Sequence, residues 1–234
     1  RNGCIHSSAS ETNCFDLYEI QMMNLPAQSQ DIYLTGNIAS GKTTLAKLLA
    51  ERMPGGCYVA EPYERNAFLA AYLRDKARWA FTSTLRYYMD SVQALTEQKA
   101  ANPDAWFFFI DAGSWTNALL YARYALGEGF LSPEEYAFYQ ELRRVIDTAH
   151  PHPAPDGFIF VQASPQVCYQ RMQARGWSFQ QDVDLAYLQK LEGYLEAMAK
   201  SLRGMGTRVM TVSSGSIPFH QPDGVAQVLA LVKD

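Results

Sequence analysis

Cysteine is scarce in this sequence, with only Cys4, Cys14, Cys57 and Cys168 among 234 residues. None forms a C-x-x-C pair, and no histidines gather near them at zinc spacing. Reduced thiols are therefore expected, rather than a disulfide scaffold or a zinc site. No apolar run approaches the length that spans a bilayer, and the first residues lack the basic start and apolar stretch of a secretory signal. An excess of positive charge is also missing: 20 Lys and Arg stand against 24 Asp and Glu, giving a net charge of −4. Such a chain does not hold nucleic acid by neutralising phosphates, so neither a nucleic-acid nor a membrane partner is expected, and any anion site must be local. The expected location is intracellular and cytoplasmic. A mitochondrial location is the alternative, although Glu11, Asp16 and Glu19 argue against a transit sequence.

What is present is an ordinary globular composition, 48% hydrophobic and 19% charged, enough for one sizeable core. Short apolar runs at Asp31–Thr35, Cys57–Ala60, Trp106–Asp111, Gly157–Gln162 and Arg208–Val212 read as buried strands. Segments with helical spacing lie between and beyond them: Thr43–Met53, Trp79–Lys99, Asn117–Leu126, Pro133–Ala149, Pro165–Ala174, Asp184–Leu202 and Asp223–Val232. Strands alternating with helices predict an α/β fold, a five-stranded parallel sheet covered on both faces over residues 30–234. Residues 1–29 read as a weakly ordered extension with one short helix at Cys14–Met23. The stretch His150–Pro155 reads as a proline-rich connector, with metal binding by its two histidines as the alternative.

The strongest motif is Gly36-Asn37-Ile38-Ala39-Ser40-Gly41-Lys42-Thr43-Thr44, which fits G-x-x-x-x-G-K-[ST] at every fixed position. A strand precedes it and a helix follows, the context in which glycines let backbone N–H groups wrap a triphosphate. In that context Lys42 reaches the β- and γ-phosphates of ATP, and the Thr43 hydroxyl holds Mg2+.

Two carboxylates stand at predicted strand ends. Glu61 closes the second strand, where it faces the crevice and could serve as general base; a surface glutamate before a proline turn is the plain alternative. Asp111 closes the third, where a second Mg2+ ligand is needed, or where an acid simply caps a helix. Arg171 and Arg175 lie four apart on one helix face, either as a lid over a moving phosphoryl group or as a solvated basic stripe.

Taken together, these pieces resemble the deoxynucleoside kinase family from about Asp31 to Leu202. The match comprises the GNIASGKTT loop, Glu61-Pro62, Trp79-Ala80-Phe81-Thr82, the acid after strand three, the segment Gly129–Leu142, and Ser164–Arg171. The resemblance implies a P-loop three-layer fold, with a helical lid at about 171–182. It implies transfer of phosphate from ATP, with Mg2+, to the 5'-hydroxyl of a nucleoside. Glu61 would then be the base, with Lys42, Arg171 and Arg175 as catalytic partners and Thr43 and Asp111 on the metal. Glu61, Tyr72, Phe81, Thr84, Asp111 and Asn117 would bind the acceptor. Family members usually pair as homodimers through long helices.

The sequence also departs from the family pattern. Ala112 stands where an arginine follows the acid, Thr84 where a glutamine reads the base, Ser91 and Asn117 where an Arg–Asp pair is usual, Trp177 for a lid arginine and Gln180 for a lid acid. Charge has been removed from the acceptor side. Three readings follow: an active nucleoside kinase with altered preference, a pseudokinase that only binds nucleotide, or a kinase for another small acceptor.

Overall fold

Alternation along the strands decides the layering. In β1 (Gln30–Thr35), Ile32 and Leu34 point to one face and Tyr33 to the other; in β3 (Phe107–Asp111), Phe109 opposes Phe108 and Ile110; in β4 (Gly157–Gln162), Ile159 and Val161 oppose Phe158 and Phe160. Both faces are apolar at period two, so the sheet must be covered twice. The computed structural model describes residues 28–215, together with Gly224 and Val228. With β2 (Gly56–Val59) and β5 (Val209–Ser213), the strands form one all-parallel sheet in the order β2-β3-β1-β4-β5.

Helix α1 (Lys42–Arg52) covers one face through Leu45, Ala46 and Leu49. The other face packs against a larger cluster. It draws on α2 (Leu69–Arg74), α3 (Lys76–Ala101), the helical stretch running through α4 (Gly113–Thr116), a π turn (Asn117–Tyr121) and α5 (Ala122–Gly127), and α8 (Leu185–Gly204). Helix α6 (Pro133–Ala149) packs on α3, and α7 (Pro165–Arg175) follows β4.

Local chemistry fixes the helix starts. Ser132 accepts from the Glu135 N–H at 3.1 Å while the Glu135 carboxylate accepts from the Ser132 N–H at 2.8 Å, with Pro133 at the first helical position. Ser164 caps α7, Asp184 caps α8 and Asp75 caps α3. That last cap starts α3 at Lys76, three residues before the expected Trp79. The segment expected as one helix at Asn117–Leu126 is interrupted by the π turn. The expected helix at Cys14–Met23 lies outside the described residues, as does most of the one expected at Asp223–Val232. Among the described residues no helix is long and apolar enough to cross a membrane, and Cys57 and Cys168 are free thiols.

Candidate active site

The strand order sets β2, β3 and β1 side by side, so their C-terminal ends deliver Glu61, Asp111 and the loop 36–44 to one edge. Ligands of open parallel sheets bind at this edge. The loop depends on glycine at two points. Gly36 has φ +150°, and a Cβ there would stand 2.4 Å from the Val161 carbonyl oxygen; Gly41 has φ +108°. Neither place accepts a larger residue without strain.

The loop's side chains divide by role. Asn37 faces away from the cavity, its amide donating to the Leu188 carbonyl at 2.8 Å and to Glu192 Oε2 at 3.0 Å, which ties the loop to α8. Ser40 is also buried behind the loop. Gly36, Asn37 and Ser40 therefore shape the loop from behind, whereas Ile38, Ala39, Gly41, Lys42, Thr43 and Thr44 line the cavity. The Lys42 ammonium lies across the loop, donating to the carbonyls of Gly36 at 3.1 Å and Asn37 at 2.9 Å.

Thr43 Oγ1 donates to Asp111 Oδ2 at 2.5 Å, and the Tyr58 hydroxyl reaches the same oxygen at 3.5 Å. Asp111 Oδ1 is buried and has no partner among the described residues. A hydroxyl beside a buried carboxylate with a vacant oxygen is the hard-donor set that Mg2+ takes when phosphates complete its shell. The pair thus fits that ion. No three His, Cys, Asp or Glu side chains converge elsewhere among the described residues, the histidines of the proline-rich connector included.

Glu61 sits one residue beyond exposed Ala60 and accepts a hydrogen bond from the Tyr87 hydroxyl on α3 at 2.6 Å. Burial pushes its carboxyl above the usual carboxylate range, and the nearby Asp111 pushes it further, against Lys42, Tyr87 and Arg175. Asp111 is raised chiefly by burial as well, with Lys42 and Thr43 opposing.

The opposite wall is formed by the end of α7 and the turn that follows it. Arg171 donates to the Ser40 carbonyl at 3.3 Å and to Ser214 Oγ at 2.9 Å. Arg175 donates to Gln180 Oε1 at 2.7 Å, and its guanidinium stands 3.5 Å from the centre of the Trp177 ring. Tyr63, just past Glu61, stacks on both Trp177 and Phe179 at 5.1 and 5.6 Å.

The cavity between these walls holds about 1190 Å³. This exceeds the roughly 300–1,000 Å³ of a single small-molecule site and leaves room for two ligands. Lys42, Thr43, Glu61, Asp111, Arg171 and Arg175 all line it, as do Tyr72, Thr84 and Asn117.

Two expectations fail. Phe81 does not reach the cavity: it faces α6, where its ring stacks on Phe138 at 5.8 Å and nearly parallel. Ser91 and Asn117 do not pair; Ser91 donates to the Tyr87 carbonyl, while Asn117 accepts from the Tyr139 hydroxyl. Ala112 is fully buried at φ +58°, absent from the cavity lining, with its N–H on the Leu34 carbonyl. The sequence reading missed Tyr87, Tyr121 and Tyr187, which add phenol rings to the lining. For Tyr87 a signal existed in its spacing of three from Thr84 on the same helix.

The family model for deoxynucleoside kinases matches residues 32–228. The probable deoxycytidine kinase of fowlpox virus is 26% identical over 184 residues, covering 77% of this chain and 76% of its own. The deoxyguanosine kinase of Bacillus subtilis is 25% identical over 192 residues, covering 80% and 88%. A solved structure of deoxyadenosine kinase from M. mycoides with bound dATP superposes with a TM-score of 0.68 at 14% identity, over 88% of this chain and all of that one, and supports the fold. With the family model spanning most of its length, this chain belongs to the deoxynucleoside kinase family.

Proposed function

We propose that this protein transfers the γ-phosphoryl group of ATP to the 5'-hydroxyl of a (deoxy)nucleoside in one in-line step. The observation that carries the reading is the convergence of Lys42, the Thr43–Asp111 pair, Glu61 and the two lid arginines on one cavity large enough for donor and acceptor. Relatives named as deoxycytidine and deoxyguanosine kinases support the choice of acceptor.

Each residue has a distinct task. The loop N–H groups and Lys42 hold the triphosphate, Lys42 exchanging its loop carbonyls for phosphate oxygens. Thr43 and Asp111 would hold Mg2+, which supplies charge neutralisation to the phosphate oxygens. Glu61 accepts the proton of the attacking hydroxyl as the new O–P bond forms and the bond to the β-phosphate oxygen breaks. Arg171 and Arg175 stabilise the charge on the moving group and help exclude water. Tyr72, Thr84 and Asn117 bind the nucleoside. Pairing of two copies through α3 and α6, where Met89, Phe138 and Val145 are exposed, is part of the same reading.

A second reading, a nucleotide-binding pseudokinase, draws support from Ala112. Its side chain is turned into the core, so nothing at that position reaches the acceptor side. Glu61→Gln separates the two: under the kinase reading it lowers transfer by about a hundredfold or more, to a slow residual rate, while ATP binding is retained, and full transfer by that variant would remove the base assignment.

A further inference from the structure

Glu61 is poorly held by its own strand. Pairing of β2 with β3 ends at Val59, and Pro62, which lacks an N–H, follows it directly. The cations that face it are occupied elsewhere: Lys42 on the carbonyls of Gly36 and Asn37, Arg175 on Gln180 and the Trp177 ring. Both act on it through space. From β3 it faces Asp111, a like charge. The Tyr87 hydroxyl alone hydrogen-bonds its carboxylate among the described residues, at 2.6 Å.

Tyr87 itself is firmly placed. It is buried in the middle of the 26-residue α3, with the Ser91 hydroxyl on its carbonyl, and its ring leans on Tyr121 of the π turn at 6.4 Å.

We infer that Tyr87 is the positioning residue of the phosphoryl-transfer site, its hydroxyl fixing one carboxylate oxygen of Glu61 so that the other is aimed at the acceptor hydroxyl. The inference rests on the base role proposed for Glu61. It explains how a site without an arginine after Asp111 keeps its base in register: a neutral donor on a rigid helix takes the place of a cation on the strand end. Burial keeps the Tyr87 phenol protonated, so it remains a donor throughout the working pH range. A base held by one oxygen loses alignment when that bond is removed, and misplacement of this kind lowers the rate without weakening the phosphate site.

Tyr87→Phe removes one oxygen and keeps the ring against Tyr121. In the full-length protein, with labelled ATP and the best nucleoside of a panel, it lowers kcat about tenfold or more while KM for ATP stays within about twofold. Measured on the residual single-turnover rate of Glu61→Gln, the same substitution changes the rate by less than about twofold, because the group it positions is gone. An undiminished kcat in Tyr87→Phe overturns the inference, as does an equal loss in both backgrounds, which marks a packing effect. A wild-type protein inactive on every nucleoside overturns the kinase reading and the inference with it, so the two failures are told apart by the wild-type result.

Discussion

Thr43 at the start of α1 donates its hydroxyl to Asp111 at the end of β3 at 2.5 Å, leaving the second Asp111 oxygen buried and unpaired. Without a ligand this arrangement is unfavourable, since a buried carboxylate lacks both solvent and a full set of partners. Replacing Asp111 with asparagine removes the charge. In the absence of divalent metal, Asp111→Asn should unfold at a higher temperature than the wild type, and it should lose about a hundredfold or more in kcat. A variant that is both less stable and fully active would contradict the role given to the pair.

The pH dependence follows from Glu61. Burial, aided by Asp111, raises its folded-state pKa, so the proton stays on to higher pH than on an ordinary glutamate, and a base works only without it. Activity should therefore rise with pH through a limb that lies above the ordinary value of about 4.3. Asp111→Asn deletes the like charge, so the same limb should move to lower pH in its residual activity.

Away from the site, Asp31, the second residue of β1, is buried with Lys99 at 2.7 Å. Burial raises its pKa and Lys99 opposes this. Lys99→Met should cost about 2 kcal/mol or more at neutral pH by leaving the carboxylate without its counter-charge. A raised folded pKa penalises the charged form, so the deficit should shrink as pH falls through that pKa and Asp31 takes up a proton. Denaturant unfolding at neutral and acid pH measures both.

The turn after α7 is held by rings as well as by charge. Trp177 touches Tyr63, Phe179 and the Arg175 guanidinium. Aromatic pairs contribute about 0.5–1.5 kcal/mol each. Trp177→Ala should lower kcat several-fold by releasing Arg175, with little change in the binding of ADP by the loop; a titration of ADP beside the rate assay distinguishes the two.

The parts of the site that were legible in the sequence are those written in local spacing. The loop 36–44, the acids just past β2 and at the end of β3, and the arginine pair on α7 each declare themselves within a few residues. The misplacement of Phe81 has a physical reason. Helix α3 carries two adjoining stripes: Ser83, Thr84, Tyr87 and Ala94 turn toward the cavity, while Phe81, Leu85, Tyr88 and Val92 turn toward α6. Spacing shows both stripes but not which partner each one meets. The Tyr87–Glu61 contact joins residues 26 apart on different elements, and the order of the strands decides whether they meet at all. The π turn at Asn117–Tyr121 left no mark in a pattern that reads as plain helix. The buried turn of Ala112 away from the cavity depends on a backbone angle that no neighbouring residue announces.

Transfer of phosphate within the cavity is open to direct assay. The direct measurement incubates the protein with γ-labelled ATP, Mg2+ and a panel of ribo- and deoxynucleosides and their monophosphates, with Lys42→Ala alongside. Label appearing on a nucleoside 5'-hydroxyl with the wild type and not with Lys42→Ala is the predicted result. ATP that binds to the wild type while no acceptor becomes labelled would contradict it.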